Sequence, residues 1–115
     1  MSDLDRALQD LCGRLGGVRA AVVMESSGIE VAAWGEADFE TVAAELAELW
    51  SAAARAESVG PGLRSMVLEA DGEVWTLTAV GEGYVVAILT GQGVPPGKIR
   101  FHAGEWARAL REEFT

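Results

Sequence analysis

Few side chains in this 115-residue chain can do chemistry, and their spacing limits what that chemistry is. Histidine occurs once, at His102, so one copy cannot assemble a histidine pair around a metal or a relay of several imidazoles. Cysteine also occurs once, at Cys12, which excludes an intramolecular disulfide and a cysteine zinc cluster and fits a reducing compartment. Cys12 shares a three-four spacing with Leu4, Ala7, Leu8, Leu11 and Leu15, so it falls on the apolar face of a helix. Burial there would raise the thiol pKa and suppress its nucleophilicity. Glu45 and Glu48 form a carboxylate pair, but pairs at this spacing are common on solvated helices and need a substrate cleft to mean catalysis. Gly81-Glu82-Gly83 has the glycines of a phosphate loop without its lysine and hydroxyl residue, and it lies between two strand-like runs, where a hairpin turn suffices. Arg55 and Arg64 would suit an acidic partner, although exposed arginines are usually just solvated. Together these features predict no enzyme, no cofactor and no metal.

The elements that carry these residues follow from periodicity and punctuation. A helix is expected from Asp3 to Leu15, capped by Ser2 or Asp3 and ended by Gly16-Gly17. The apolar run Val18 to Met24 suits a central strand covered on both faces, and Ser26-Ser27-Gly28 turns it into a second strand, Ile29 to Trp34. Asp38 caps the longest helix, expected to reach about Ser58 before Gly60-Pro61-Gly62 breaks it. Its apolar face is Phe39, Val42, Ala43, Leu46, Leu49, Trp50 and Ala53. A second stripe, Ala44, Ala47, Ser51, Ala54 and Ser58, contains only small residues, so two faces look buriable. Three strands follow as a meander, Leu63 to Ala70, Glu73 to Val80 and Tyr84 to Thr90, with Asp71-Gly72 a strong hairpin signal. Beyond Pro95-Pro96, the segment Gly97 to Phe114 places Ile99, Ala103, Trp106, Leu110 and Phe114 on one helical side. The order is α-β-β-α-β-β-β-α, an α/β chain read as a single domain over residues 1–115, with one five-stranded sheet covered by helices.

Composition narrows the partners. The net charge of −9, from 18 acidic and 9 basic residues spread along the chain, disfavours a general attraction to nucleic acid or anionic lipid. The apolar runs are too short to span a bilayer, and Asp3 and Asp5 stand where a signal peptide would be basic, so a cytoplasmic location is expected. Four tryptophans, Trp34, Trp50, Trp75 and Trp106, are many for so small a chain and serve cores and interfaces alike. Trp106 reads as core. Trp50, at the boundary between the two stripes of the long helix, reads toward an interface.

Several stretches occur in a recognisable order over nearly the whole chain. They are Gly17-Val18-Arg19-Ala20-Ala21-Val22-Val23 followed by Gly28, the alanine-rich central helix, Gly81-Glu82-Gly83-Tyr84-Val85-Val86-Ala87-Ile88-Leu89, and Gly97-Lys98-Ile99-Arg100. In this order the chain resembles the Roadblock family, which includes dynein light chains and bacterial MglB-type regulators of Ras-like GTPases. The resemblance implies a Roadblock/profilin-like fold, a five-stranded antiparallel sheet with the central helix on one face and the terminal helices on the other. It also implies a homodimer that pairs central helices and joins third strands. That arrangement would bring Ala44, Ala47, Trp50, Ser51 and Ala54 near the two-fold axis and Met66, Val67 and Leu68 along the shared edge. The small-residue stripe, which permits close helix approach, and an edge strand that would otherwise invite aggregation support this independently. The implied function is a non-catalytic homodimeric platform that binds and modulates a Ras-like small GTPase. The alternatives are a structural adaptor without effect on nucleotide hydrolysis, or a small-molecule sensor of the PAS or GAF kind, for which the helices are few and the loops short.

Overall fold

The structure, a computed structural model, describes residues 2–114. Its elements are α1 (Asp3–Leu15), β1 (Val18–Glu25), β2 (Glu30–Gly35), α2 (Phe39–Arg55), β3 (Ser65–Ala70), β4 (Glu73–Ala79), β5 (Tyr84–Thr90) and α3 (Pro96–Phe114). The strands form one antiparallel sheet in the order β2-β1-β5-β4-β3. The expected order, hairpin and meander are all present, and β5, apolar from Val85 to Leu89, occupies the centre, where both of its faces are covered.

Alternation along β1 divides the core into two layers. Ala21 and Val23, with Val86 and Ile88 of β5, face α1 and α3 and pack on Leu8, Leu11, Leu15, Ile99 and Trp106. Val22 and Met24, with Val85, Ala87 and Leu77, face α2 and pack on Ala43, Leu46, Ala47 and Trp50. Leu8, Leu11 and Ile99 are fully buried, each contributing roughly 1.5–3 kcal/mol of apolar burial. The Trp106 Nε1–H donates to the Ala7 carbonyl at 2.9 Å, which fixes α3 against α1. The side chain of Phe114, expected on the same face of α3, lies outside the described residues.

Local chemistry sets the ends of the elements. Ser2 Oγ accepts the Asp5 amide at 3.0 Å while the Ser2 amide donates to the Asp5 carboxylate at 3.1 Å, a reciprocal cap on α1. The Ser2 hydroxyl and amide together hold the Asp5 carboxyl below its ordinary pKa. Asp71 and Gly72 both have positive φ, 37° and 85°, the conformation a tight turn between right-twisted strands requires. Helix α2 stops at Arg55, earlier than the expected Ser58, because Ala56 is extended and the chain folds back through Gly60. The Gly60 amide donates to the Ala56 carbonyl at 2.8 Å, and a Cβ at this position would lie 2.7 Å from that same oxygen.

Candidate functional site

The two flanks of α2 differ in what covers them. On one flank the β1–β2 turn closes over the small residues: a Cβ on Gly28 would lie 3.4 Å from Ala44 Cα and 3.6 Å from Ala47 Cβ. The Ser51 hydroxyl on the same flank donates to the Ser26 carbonyl at 3.5 Å. The Ala44, Ala47 and Ser51 part of the small-residue stripe therefore meets a turn of its own chain, and Ala47 is buried in the α2 core layer. Ala44 and Ala54 remain exposed and Ser51 is half-buried. Beside them runs a shallow groove of about 560 Å³ lined by Ser26, Ala44, Ala47, Glu48, Ser51 and Arg55. Trp50 packs into the α2 core layer and is only 7% exposed, so little of it is available to a second molecule.

On the opposite flank, roughly 150° around the helix from Ala44 and Ser51, Leu49 is 48% exposed although its spacing predicts core. Val42 and Ala53, its neighbours on that side, are partly buried. The β1–β2 turn occupies the other flank, so this one is directed toward the β4–β3 half of the sheet. There Met66, Leu68 and Trp75 pack against the core layer without being fully covered. Sequence patterning did carry a trace of this surface: the apolar positions from Leu49 through Leu46 to Ala47 span an arc of about 160°, wider than one sheet contact needs.

The sheet edges differ as well. Strand β2 has a register shift at Val23/Met24 in its pairing with β1, and its Ala33 amide donates to Asp5 at the start of α1 at 3.3 Å. Strand β3 pairs with β4 through six consecutive residues, Ser65↔Thr78 to Ala70↔Glu73, with no shift, and among the described residues has no second strand beside it. Met66 and Leu68 point to the α2 side, and Val67 points to the other face with 39% exposure. An unbulged edge of this kind is competent to pair with another strand. The half-covered apolar flank of α2 and this open edge are adjacent and form one candidate interaction surface.

The chemically capable residues do not converge. Cys12 is buried in the α1 layer, and desolvation pushes its thiol up to about 12. His102 is half-buried on α3, edge-on to Phe101 with ring centroids 5.3 Å apart. Glu45 and Glu48 are both exposed on α2. Among the described residues no group of three or more His, Cys, Asp or Glu side chains is placed to hold a metal ion. No helix among them is long and apolar enough to cross a membrane.

The Roadblock/LC7 domain model matches residues 4–90, from α1 through β5, leaving α3 outside the match. In three dimensions the chain is similar to the Roadblock/LC7 domain from Streptomyces avermitilis, at 22% identity and a TM-score of 0.85 over 98% of both chains. It is similar to the gliding protein MglB from Thermus thermophilus, at 18% identity and a TM-score of 0.79 over 96% of this chain and 90% of that one. Profilin IA from Acanthamoeba castellanii shares the fold more distantly, at 16% identity and a TM-score of 0.65 over 98% and 100% of the two chains. Among curated protein sequences none matches.

Proposed function

The chain belongs to the Roadblock/LC7 domain family, and from that premise we propose that it is a non-catalytic homodimeric platform that binds a Ras-like small GTPase and biases its switch loops. The observation that carries the dimer is the adjacency of a half-exposed Leu49 flank to the unpaired edge of β3. Two copies related by a two-fold axis would cover each other's apolar flank and complete each other's sheet in a single contact. Of the residues expected near the axis, Met66, Val67 and Leu68 keep that place in this arrangement. Ala44, Ala47 and Ser51 lie on the other flank of α2, beside the groove at the β1–β2 turn. Leu49, Val42 and Ala53 are the α2 residues that would meet their counterparts.

The GTPase assignment rests on the likeness to MglB-type regulators. In this role the platform supplies no reacting group. Its effect comes from binding one conformation of the partner more tightly than another, and the shift cannot exceed that difference in affinity. The test is GTP hydrolysis by a purified Ras-like GTPase with and without the purified protein, paired with a direct binding measurement. Binding with a changed hydrolysis rate is expected. Binding at an unchanged rate would make the protein an adaptor, and failure of every small GTPase of the source cell to bind would overturn the proposal.

A further inference from the structure

A second surface lies on the face of the sheet opposite α2. Four of the nine basic residues in this acidic chain, Arg64, Arg100, Arg108 and Arg111, line one groove of about 710 Å³ between α3 and the β3–β4 half of the sheet. On α3, Arg100, Gly104, Arg108 and Arg111 follow one another at spacings of four, four and three, and so form a single stripe. Ser65 and Thr78 of the sheet face them, with Glu82 of the β4–β5 turn at one side.

Three features of this groove bear on what could occupy it. Arg108 pairs with Glu105 at 2.7 Å, whereas the exposed guanidinium groups of Arg64 and Arg100 have no hydrogen-bond or ion-pair partner among the described residues. Thr78 is 8% exposed, and its Oγ1 is buried without a hydrogen-bond partner among the described residues, although it lines the groove. A hydroxyl in that state destabilises the fold unless something else satisfies it. Thr76 and Thr90 are unpartnered too, but they do not line the groove. Gly104 interrupts a helix interior, where glycine is less stable than alanine, yet a Cβ there would meet no heavy atom within 4 Å. No packing contact demands the glycine. Its effect is to widen the groove between Arg100 and Arg108.

We propose that this groove binds a phosphoryl group carried by a small soluble molecule. Guanidinium forks reaching in from two elements, with a buried unpartnered hydroxyl in the groove wall, suit an oxyanion whose acceptors point in several directions better than a planar carboxylate. The volume falls within the roughly 300–1,000 Å³ typical of small-molecule clefts. No aromatic side chain is among the lining residues, so recognition is of the anionic part and not of a stacked base. The net charge of −9 repels extended polyanions and anionic membranes at long range, whereas a compact ligand meets chiefly the local field of the arginines.

The test is titration calorimetry of the full chain with inorganic tripolyphosphate at constant ionic strength. Saturable binding is expected, weakened about tenfold or more in Arg100→Gln. Thr78→Val removes the unpartnered hydroxyl and Gly104→Ala improves the helix, so both raise the melting temperature of the free protein while weakening the anion. A merely structural role would not move stability and binding in opposite directions. Absence of saturable binding, or an unchanged affinity in Arg100→Gln, overturns the proposal, as does citrate binding as tightly as tripolyphosphate. Phosphatidylcholine vesicles with and without a phosphoinositide separate the sources: Arg100-dependent retention on the latter, with no response to tripolyphosphate, would overturn the soluble ligand in favour of a lipid headgroup.

Discussion

Replacing Leu49 with alanine tests whether the exposed flank of α2 is the seam between two copies. The side chain keeps 48% of its surface open in the protomer, so about half of its burial is already realised. Complete burial of a leucine is worth roughly 1.5–3 kcal/mol, and covering the remaining half contributes about 0.8–1.5 kcal/mol per copy. Two-fold symmetry counts the contact twice, giving about 1.5–3 kcal/mol per dimer and a dissociation constant about 10- to 150-fold weaker in Leu49→Ala. Sedimentation equilibrium over a dilution series measures this directly. Ile29, 59% exposed in the β1–β2 turn on the other flank of α2, supplies the control, because Ile29→Ala removes a comparable apolar group on the side away from the proposed contact. If Leu49→Ala associates as tightly as the wild type, the flank is not the seam. If the wild type stays monomeric throughout the series, the reasoning from half-buried surface to dimer fails altogether.

Two further outcomes follow from the same packing. Ala47→Leu adds volume where the β1–β2 turn closes over α2, so it should cost about 1–3 kcal/mol of protomer stability. Chemical denaturation at several protein concentrations checks this, because a loss confined to the associated form would mean that the small-residue stripe meets a second molecule. For Cys12, the folded thiol titrates near 12 against an ordinary 9.0, so between these values the unfolded chain releases a proton that the folded chain retains. Its stabilising contribution is present below pH 9.0 and lost as pH rises toward 12. Denaturation midpoints on either side of pH 9.0 should show an extra loss in the wild type that disappears in Cys12→Ala, and equal losses in both would refute the burial argument.

Much of the fold is legible in the sequence because it depends on local rules. The three-four spacing from Leu4 to Leu15, the paired positive φ that Asp71-Gly72 can adopt and the unbroken apolar run of β5 each name an element without reference to anything distant. The candidate surface was less accessible for a specific reason. Which flank of α2 stays open depends on the β1–β2 turn, whose Gly28 is nineteen positions from Ala47 and lands on the small residues. In the sequence the stripe of alanines reads as a seam awaiting a partner helix, and nothing local reveals that a turn of the same chain lies against Ala44 and Ala47. The groove on the other face was hidden in the same way. Arg100, Arg108 and Arg111 read as a solvated helix face until the sheet brings Arg64 and Thr78 opposite them.

The distribution of residue sizes around α2 then acquires a single cause. A helix seated against the β1–β2 turn needs small residues on that side, since larger ones would lift the turn from its contact with Ala44 and Ala47. Seated there, it leaves Met66, Leu68 and Trp75 on the far half of the sheet only partly covered, with Leu49 facing the gap. A sheet face left half bare needs another layer, and the layer must also deal with the unpaired backbone of β3. The β2 edge poses no such demand, being shifted in register and occupied by Asp5. In the proposed dimer a second copy of the chain would meet both needs with the surfaces already described: its own Leu49 flank would cover the bare apolar surface, and its own β3 would continue the sheet. A partner lacking an open strand would cover the leucines but leave the β3 backbone unpaired, and for that reason the proposed contact would favour self-association over any other apolar helix.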